Sequence, residues 1–199
     1  MKKWTLILFG LFSSHLHAIT LDDIQQQLGA HPIVRAEFEQ KRSISGVSKP
    51  ILSSGTIIVS QQDGLWWHQT KPFDLTLLLT NQVMKQSTAG NQPQVITAKQ
   101  NPQLFQFNSL LSSLFKADKK TLEQNFVIKL QEKQTGWVIT LTPKKEPLNK
   151  IFNTITLSGK QVLENIQVHD KQADQTNIRF FNHKLTPTTL QANERAYFK

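Results

Sequence analysis

The sequence predicts a mainly β fold with a few helices, an antiparallel meander that forms a sandwich or a barrel. Three observations lead there. Polar and apolar residues alternate with period two along much of the chain, turn signals separate these runs at short intervals, and one densely apolar stretch of helical period interrupts them. Parallel strands need a long crossover between successive strands, and such crossovers are absent here, so the strands must meander antiparallel.

The N-terminus reads as a secretory signal peptide. Lys2 and Lys3 supply the positive start, Trp4 to Phe12 the apolar run, and Leu16 and Ala18 the small-to-medium positions before a cleavage point after Ala18. The run is about half the ~20 apolar residues that a spanning helix needs, which argues against a membrane anchor. Residues 1–18 are therefore expected to be removed, leaving residues 19–199 as a single exported domain. The formal charge of +9 falls to +7 with the loss of Lys2 and Lys3. The chain has no Cys, so disulfides, thiolate metal sites and lipidation at a cleavage-site cysteine are all excluded. A monomer in the periplasm is expected. Lys41–Arg42, Lys119–Lys120 and Lys144–Lys145 are scattered basic pairs. They read either as a solvated surface or as attraction to anionic headgroups or an acidic partner. No nucleic-acid recognition motif accompanies them.

A short helix opens the mature chain. Thr20 is placed to cap it, with Asp23 at the third helical position completing a capping box. Ile19 and Ile24 have staple spacing, Leu21, Ile24 and Leu28 share one face, and Gly29 reads as the stop. After Pro32, Val34, Ala36, Phe38 and Gln40 alternate with Arg35, Glu37, Glu39 and Lys41, a strand with one wet face. Further strands are predicted at residues 52–60, 65–70, 74–80, 83–88 and 94–99, and then at 126–132, 137–142, 152–158, 162–170 and 176–182. Between the two groups, Leu104, Phe105, Phe107, Leu110, Leu111, Leu114 and Phe115 form the apolar helical stretch, followed by polar Lys119, Lys120 and Glu123. It reads equally as a core helix closing one end of a barrel and as a lid over a cavity.

Catalytic signals are few, and no enzyme is expected. His31, His68, His169 and His183 are isolated, without metal-ligand spacing. Ser113 and Lys116 fit Ser-x-x-Lys but lack its partner motifs. Asp22 and Asp23 lie side by side in a first helical turn, where carboxylates favour the helix dipole. No metal, cofactor or catalytic residue is assigned.

Phe38–Glu39–Gln40, then Ser54–Gly55–Thr56–Ile57, then Gly64 to Phe73 with Trp66 and Trp67, occur in an order and spacing that resemble the N-terminal half of the LolA lipoprotein-carrier family. The resemblance covers residues 20–80 well and the later strands by pattern. It implies an unclosed antiparallel β-barrel, a half-barrel meander, covered by an α-helical lid, with a hydrophobic interior that takes up the acyl chains of lipoproteins or a related lipid, an inner-membrane exporter as donor, an outer-membrane acceptor, and shuttling across the periplasm. Two features depart from the family. Gln61–Gln62 stand where an Arg–Pro pair is usual, so no latch role is carried over, and the segment from Leu185 onward is unlike the usual terminus. Candidate cavity and lid residues are Phe38, Trp67, Leu77, Phe105, Phe107, Leu111, Phe115, Ile139 and Leu141; for those on strands, plain core packing is the competing role. Trp66 and Trp67 must face opposite sides of one strand, and Trp67 is assigned to the interior. A lipid- or protein-sensing periplasmic adaptor of the same fold is the alternative function.

Overall fold

The computed structural model describes residues 19–88, 91–97, 99–100 and 112–198. Helix α1 (Leu21–Gly29) begins with the expected capping box: the Asp23 N–H donates to Thr20 Oγ1 (3.2 Å) and the Thr20 N–H to Asp23 Oδ2 (2.8 Å). Gly29 is not a left-handed stop. It is the last helical residue, and Ala30 caps the helix with an ordinary φ of −65°. The His31 N–H still reaches the Leu28 carbonyl, so the chain leaves the helix without reversing its hand.

Eleven strands follow: β1 (Ile33–Ser43), β2 (Ile51–Ser60), β3 (Gly64–Lys71), β4 (Leu75–Leu79), β5 (Val83–Thr88), β6 (Gln94–Thr97), β7 (Phe126–Lys133), β8 (Gly136–Pro143), β9 (Phe152–Gly159), β10 (Leu163–Asp170) and β11 (Gln175–Lys184). They form one antiparallel sheet in the order β6-β5-β4-β3-β2-β1-β11-β10-β9-β8-β7. Two meanders thus run outward from a central β1–β11 pair, and β6 and β7 are left as edges, so the sheet does not close into a barrel. A helical turn at residues 112–116 and α2 (Lys119–Asn125) lead into β7, and a short α3 (Leu148–Ile151) joins β8 to β9. Of the predicted apolar helix, only residues 112–115 can be placed; Phe105, Phe107 and Leu111 lie outside the described residues, as does the expected signal peptide.

Leu21, Ile24 and Leu28 of α1 pack with Ala36, Phe38, Ile57, Val59 and their register partners, which defines the inner face. Two glycines are demanded by close approach. Gly64 turns β2 into β3 with φ +122°, a region that side chains avoid. Gly55 lies opposite Phe38, and a Cβ there would sit 1.9 Å from the His68 carbonyl oxygen. The Gly-led strand read in the sequence is therefore a packing requirement. Gly55→Ala should push β3 away from β2, costing about 1–2 kcal/mol by overpacking. Denaturant unfolding and near-UV dichroism of the aromatic pair beside it would measure this; an unchanged midpoint would contradict the close approach.

The outer face of β1 is not uniformly wet, contrary to the simple alternation. Ile33, Ile58 and Trp66 form a second buried cluster there, covered by Leu190 and Phe198. The covering segment carries α4 (Ala192–Arg195) and a 3-10 turn (Ala196–Phe198). Arg35 reaches into it with a bidentate pair to Glu194 (2.5 and 2.7 Å) and donates to the carbonyls of Pro187 (2.9 Å) and Thr189 (3.0 Å). The Tyr197 ring stacks on Trp66 at 4.3 Å and 10°. Long-range coverage of this kind has no local sequence signature.

Candidate functional site

The inner face is built from strand registers. β3 carries Leu65 and Trp67 inward, and β4 places Leu79 and Leu77 directly opposite them. β5 adds Met84 opposite Leu79. Phe38 lies between Gly55 on one side and Phe180 on the other. The Trp67 ring comes to 3.7 Å from the Phe38 ring, tilted by 32°. Phe180 meets Trp67 edge-on at 6.4 Å and Phe115 at 5.7 Å. Phe38, Trp67, Leu77 and Phe115 are thus brought into one apolar group, with Trp67, Leu77 and Phe115 half-buried and Phe38 fully buried.

Ile139 and Leu141 sit in the other arm. Both have no exposed surface, and they pack with Leu157, Leu122, Phe126 and Leu148 in the closed part of the core. Trp137, in the same arm, is anchored by its indole N–H to the Lys160 carbonyl (2.8 Å). Inner-face Ile139, Leu141, Ile155 and Leu157 of β8 and β9 are sealed, as are Leu65 and Leu79 of β3 and β4, whereas Trp67, Leu75, Leu77, Met84 and Ile96 of β3–β6, and Ile128 and Leu130 of β7, keep part of their apolar surface open. Sequence reasoning missed Phe180 and Met84. Phe180 is indistinguishable from Phe181 until the β1–β11 register is known, whereas Met84 follows from the alternation of β5 and could have been read.

Between α1, Phe115 and the sheet lies a small apolar cavity of about 30 Å³, lined by Val34, Ala36, Ile57, Leu163 and Phe180 among others. That is the space of about one water molecule. Polar ties hold the helical cover over it. Lys116 Nζ donates to the Gln61 carbonyl (3.0 Å), and Gln61 Nε2 donates to the Leu28 carbonyl at the end of α1 (3.4 Å). Lys119 pairs with Asp22 (2.5 Å), and its N–H donates to Gln25 Oε1 (2.8 Å). The Asp22 carboxylate raises the Lys119 pKa above its ordinary value. Gln27 donates to the Lys160 carbonyl. Gln61 thus joins β2–β3 to both helical pieces through one main-chain and one side-chain contact.

These contacts also account for the residues that looked chemical. Asp23 caps α1, Asp22 pairs with Lys119, and Lys116 is engaged with Gln61. His68 lies 3.2 Å from Asp74 on the outer face, and His183 contacts the Leu163 carbonyl at 3.2 Å. Among the described residues, no three His, Asp or Glu side chains converge as metal ligands, and no helix is long and apolar enough to cross a membrane.

Comparison with solved structures gives low-identity matches across most of the chain. A LolA superfamily protein from Nitrosomonas europaea matches at 10% identity and a TM-score of 0.47, covering 88% of this chain and 97% of that one. A domain from Vibrio parahaemolyticus assigned to outer membrane lipoprotein sorting matches at 9% identity and a TM-score of 0.45, covering 90% and 98%. The MucA/MucB complex of Pseudomonas aeruginosa matches at 14% identity and a TM-score of 0.38, covering 82% of this chain and 56% of the other. No curated protein matches the sequence. The family model described as "Outer membrane lipoprotein carrier protein LolA-like" matches residues 13–179, from before α1 into β11. That span includes the Phe38 strand, the Gly55 strand and the paired tryptophans, and the chain belongs to the LolA-like family of outer membrane lipoprotein carriers.

Proposed function

We propose that this protein is a periplasmic carrier that binds the acyl chains of lipoproteins, or a related lipid, on the inner face of its sheet and shuttles them toward the outer membrane. The observation that carries the reading is the half-open apolar surface of that face, where Trp67, Leu77 and Met84 are only partly buried beside the buried Phe38. A chain contributes about 0.8 kcal/mol per buried methylene, so ten would give roughly 8 kcal/mol before association costs, near micromolar affinity. That strength suits a carrier, which must also release. The cavity of about 30 Å³ beneath α1 has no room for such a chain. Loading therefore extends over the β3–β5 side or displaces the cover, whose ties through Gln61 and Lys119 are few and near the surface. Exchange with an inner-membrane donor and an outer-membrane acceptor completes the cycle. No step makes or breaks a covalent bond, so the reading needs no catalytic group.

The test is binding of a fluorescent fatty-acyl probe. Leu77→Asp places a charge on the half-open apolar surface and should weaken probe binding at least about tenfold, since a buried charge without a partner is costly. Lys129→Asp, on β7 and facing outward, serves as control. Native mass spectrometry of protein isolated from the periplasm should show bound acyl species. Unchanged probe binding by folded Leu77→Asp would overturn the assignment of this face. Protein free of lipid but bound to another polypeptide would favour the adaptor function.

A further inference from the structure

We propose that the end of the sheet formed by the β1–β2 and β3–β4 connections docks on an anionic membrane surface. This goes beyond the acyl-binding reading and does not depend on what the inner face holds. Soluble proteins scatter single exposed apolar residues, but here they gather. Val47 lies in the β1–β2 loop, Ile51 and Leu52 open β2, and Phe73 sits at the β3–β4 turn. Register places them at one end: Ile51 is opposite Arg42, Leu52 opposite Lys41, and Ser54 opposite Lys71, two residues before Phe73. Phe73 is 75% exposed and Leu52 63%.

Basic residues are interleaved with these apolar ones. Lys41, Lys49 and Lys71 are exposed and make none of the ion pairs found among the described residues. A groove of about 760 Å³ opens beside this end of the sheet, lined by Lys41, Leu52, Lys71 and Pro72 together with residues of β10 and β11 such as Ile166 and Ile178. The nearby acidic groups are engaged. Asp174 accepts from the Ser45 N–H (2.9 Å) and pairs with Arg42 (3.2 Å), Glu39 pairs with Arg179 (2.9 Å), and Asp74 faces His68 (3.2 Å). The Ser45 and Arg42 contacts hold the Asp174 carboxyl below the ordinary carboxylate range and brace the loop that carries Val47 and Lys49. Gln69 Nε2 donates to the Phe73 carbonyl (3.2 Å), which holds the second connection.

Apolar tips ringed by free lysines match the chemistry of a bilayer surface. Phe and Leu sit at the acyl boundary while lysine stems lie along it with their ammonium groups among anionic headgroups. A protein partner would leave three desolvated lysines to be matched by carboxylates, whereas a bilayer lets each remain hydrated.

The experiment is co-sedimentation of the exported protein with vesicles of phosphatidylglycerol and phosphatidylethanolamine, and with phosphatidylcholine alone. Binding to the first and little to the second is expected, falling as salt is raised. The triple change Lys41→Gln, Lys49→Gln and Lys71→Gln should lower partitioning about a hundredfold, at roughly a factor of five per lysine. Phe73→Asp should lower it at least tenfold. All these sites are exposed, so thermal unfolding should not change, and the acyl-probe binding assigned to Leu77 should persist. Equal binding of wild type and variants, or no binding to either vesicle, would overturn the proposal. So would crosslinking from position 73 to an envelope protein without vesicle binding.

Discussion

Leu141→Ala is expected to lower the unfolding free energy by about 2–5 kcal/mol, and Leu77→Ala by well under half of that. The same atoms are removed in each case, and both residues point to the inner face. They differ in their surroundings. Leu141 has no exposed surface and is enclosed by Leu122, Phe126 and Leu148, so its loss leaves a cavity that a rigid core cannot fill. Leu77 already meets solvent on one side, so truncation there removes less buried surface and opens no void. Equilibrium denaturation in urea measures both. Equal costs would mean that Leu77 is packed as tightly as Leu141, and the carrier reading would lose its structural basis.

Glu194→Ala is expected to release the C-terminal segment from the outer face at a cost of about 2–3 kcal/mol, the low end of what breaking a buried pair costs. The low end applies because the segment can peel away and let water reach Arg35. Arg35 would keep only the Pro187 and Thr189 carbonyls. Trp66, buried beneath Tyr197, should then show red-shifted emission and easier quenching, while Trp67 stays unchanged against Phe38. Acid should mimic the mutation. The hydrogen bonds from Arg35 hold the Glu194 carboxyl below its ordinary value, and those from Glu194 hold Arg35 above its own. A depressed carboxylate contributes stability that is complete above its unfolded pKa of ~4.3 and is lost as pH falls through the folded value. Trp66 exposure should therefore begin below pH ~4 in wild type and be independent of pH there in Glu194→Ala. A Trp66 signal that does not move in either condition would show that Leu190 and Phe198 hold the segment without the ion pair.

The sequence alone determined most strand limits among the described residues and the capping box on α1. Each depends on neighbours within a few residues: alternation, turn chemistry and caps are local physics, legible in order along the chain. Its family motifs, short as they are, also marked real constraints, since a Cβ at Gly55 would collide with the His68 carbonyl oxygen of β3. The tertiary structure decided which apolar residues are core and which are half-open. Ile139 and Leu77 read alike as alternating strand residues, yet one is sealed and the other half-buried: helices α1 and α2 and the turn at 112–116 join one cluster that reaches both arms, and only packing sets how fully each residue is covered. It also decided that Phe180 joins Phe38, and that residues near 190 cover the outside of β1. These contacts join segments some 140 to 160 residues apart, where no periodicity carries information and only the closure of β1 against β11 brings the two ends of the chain together.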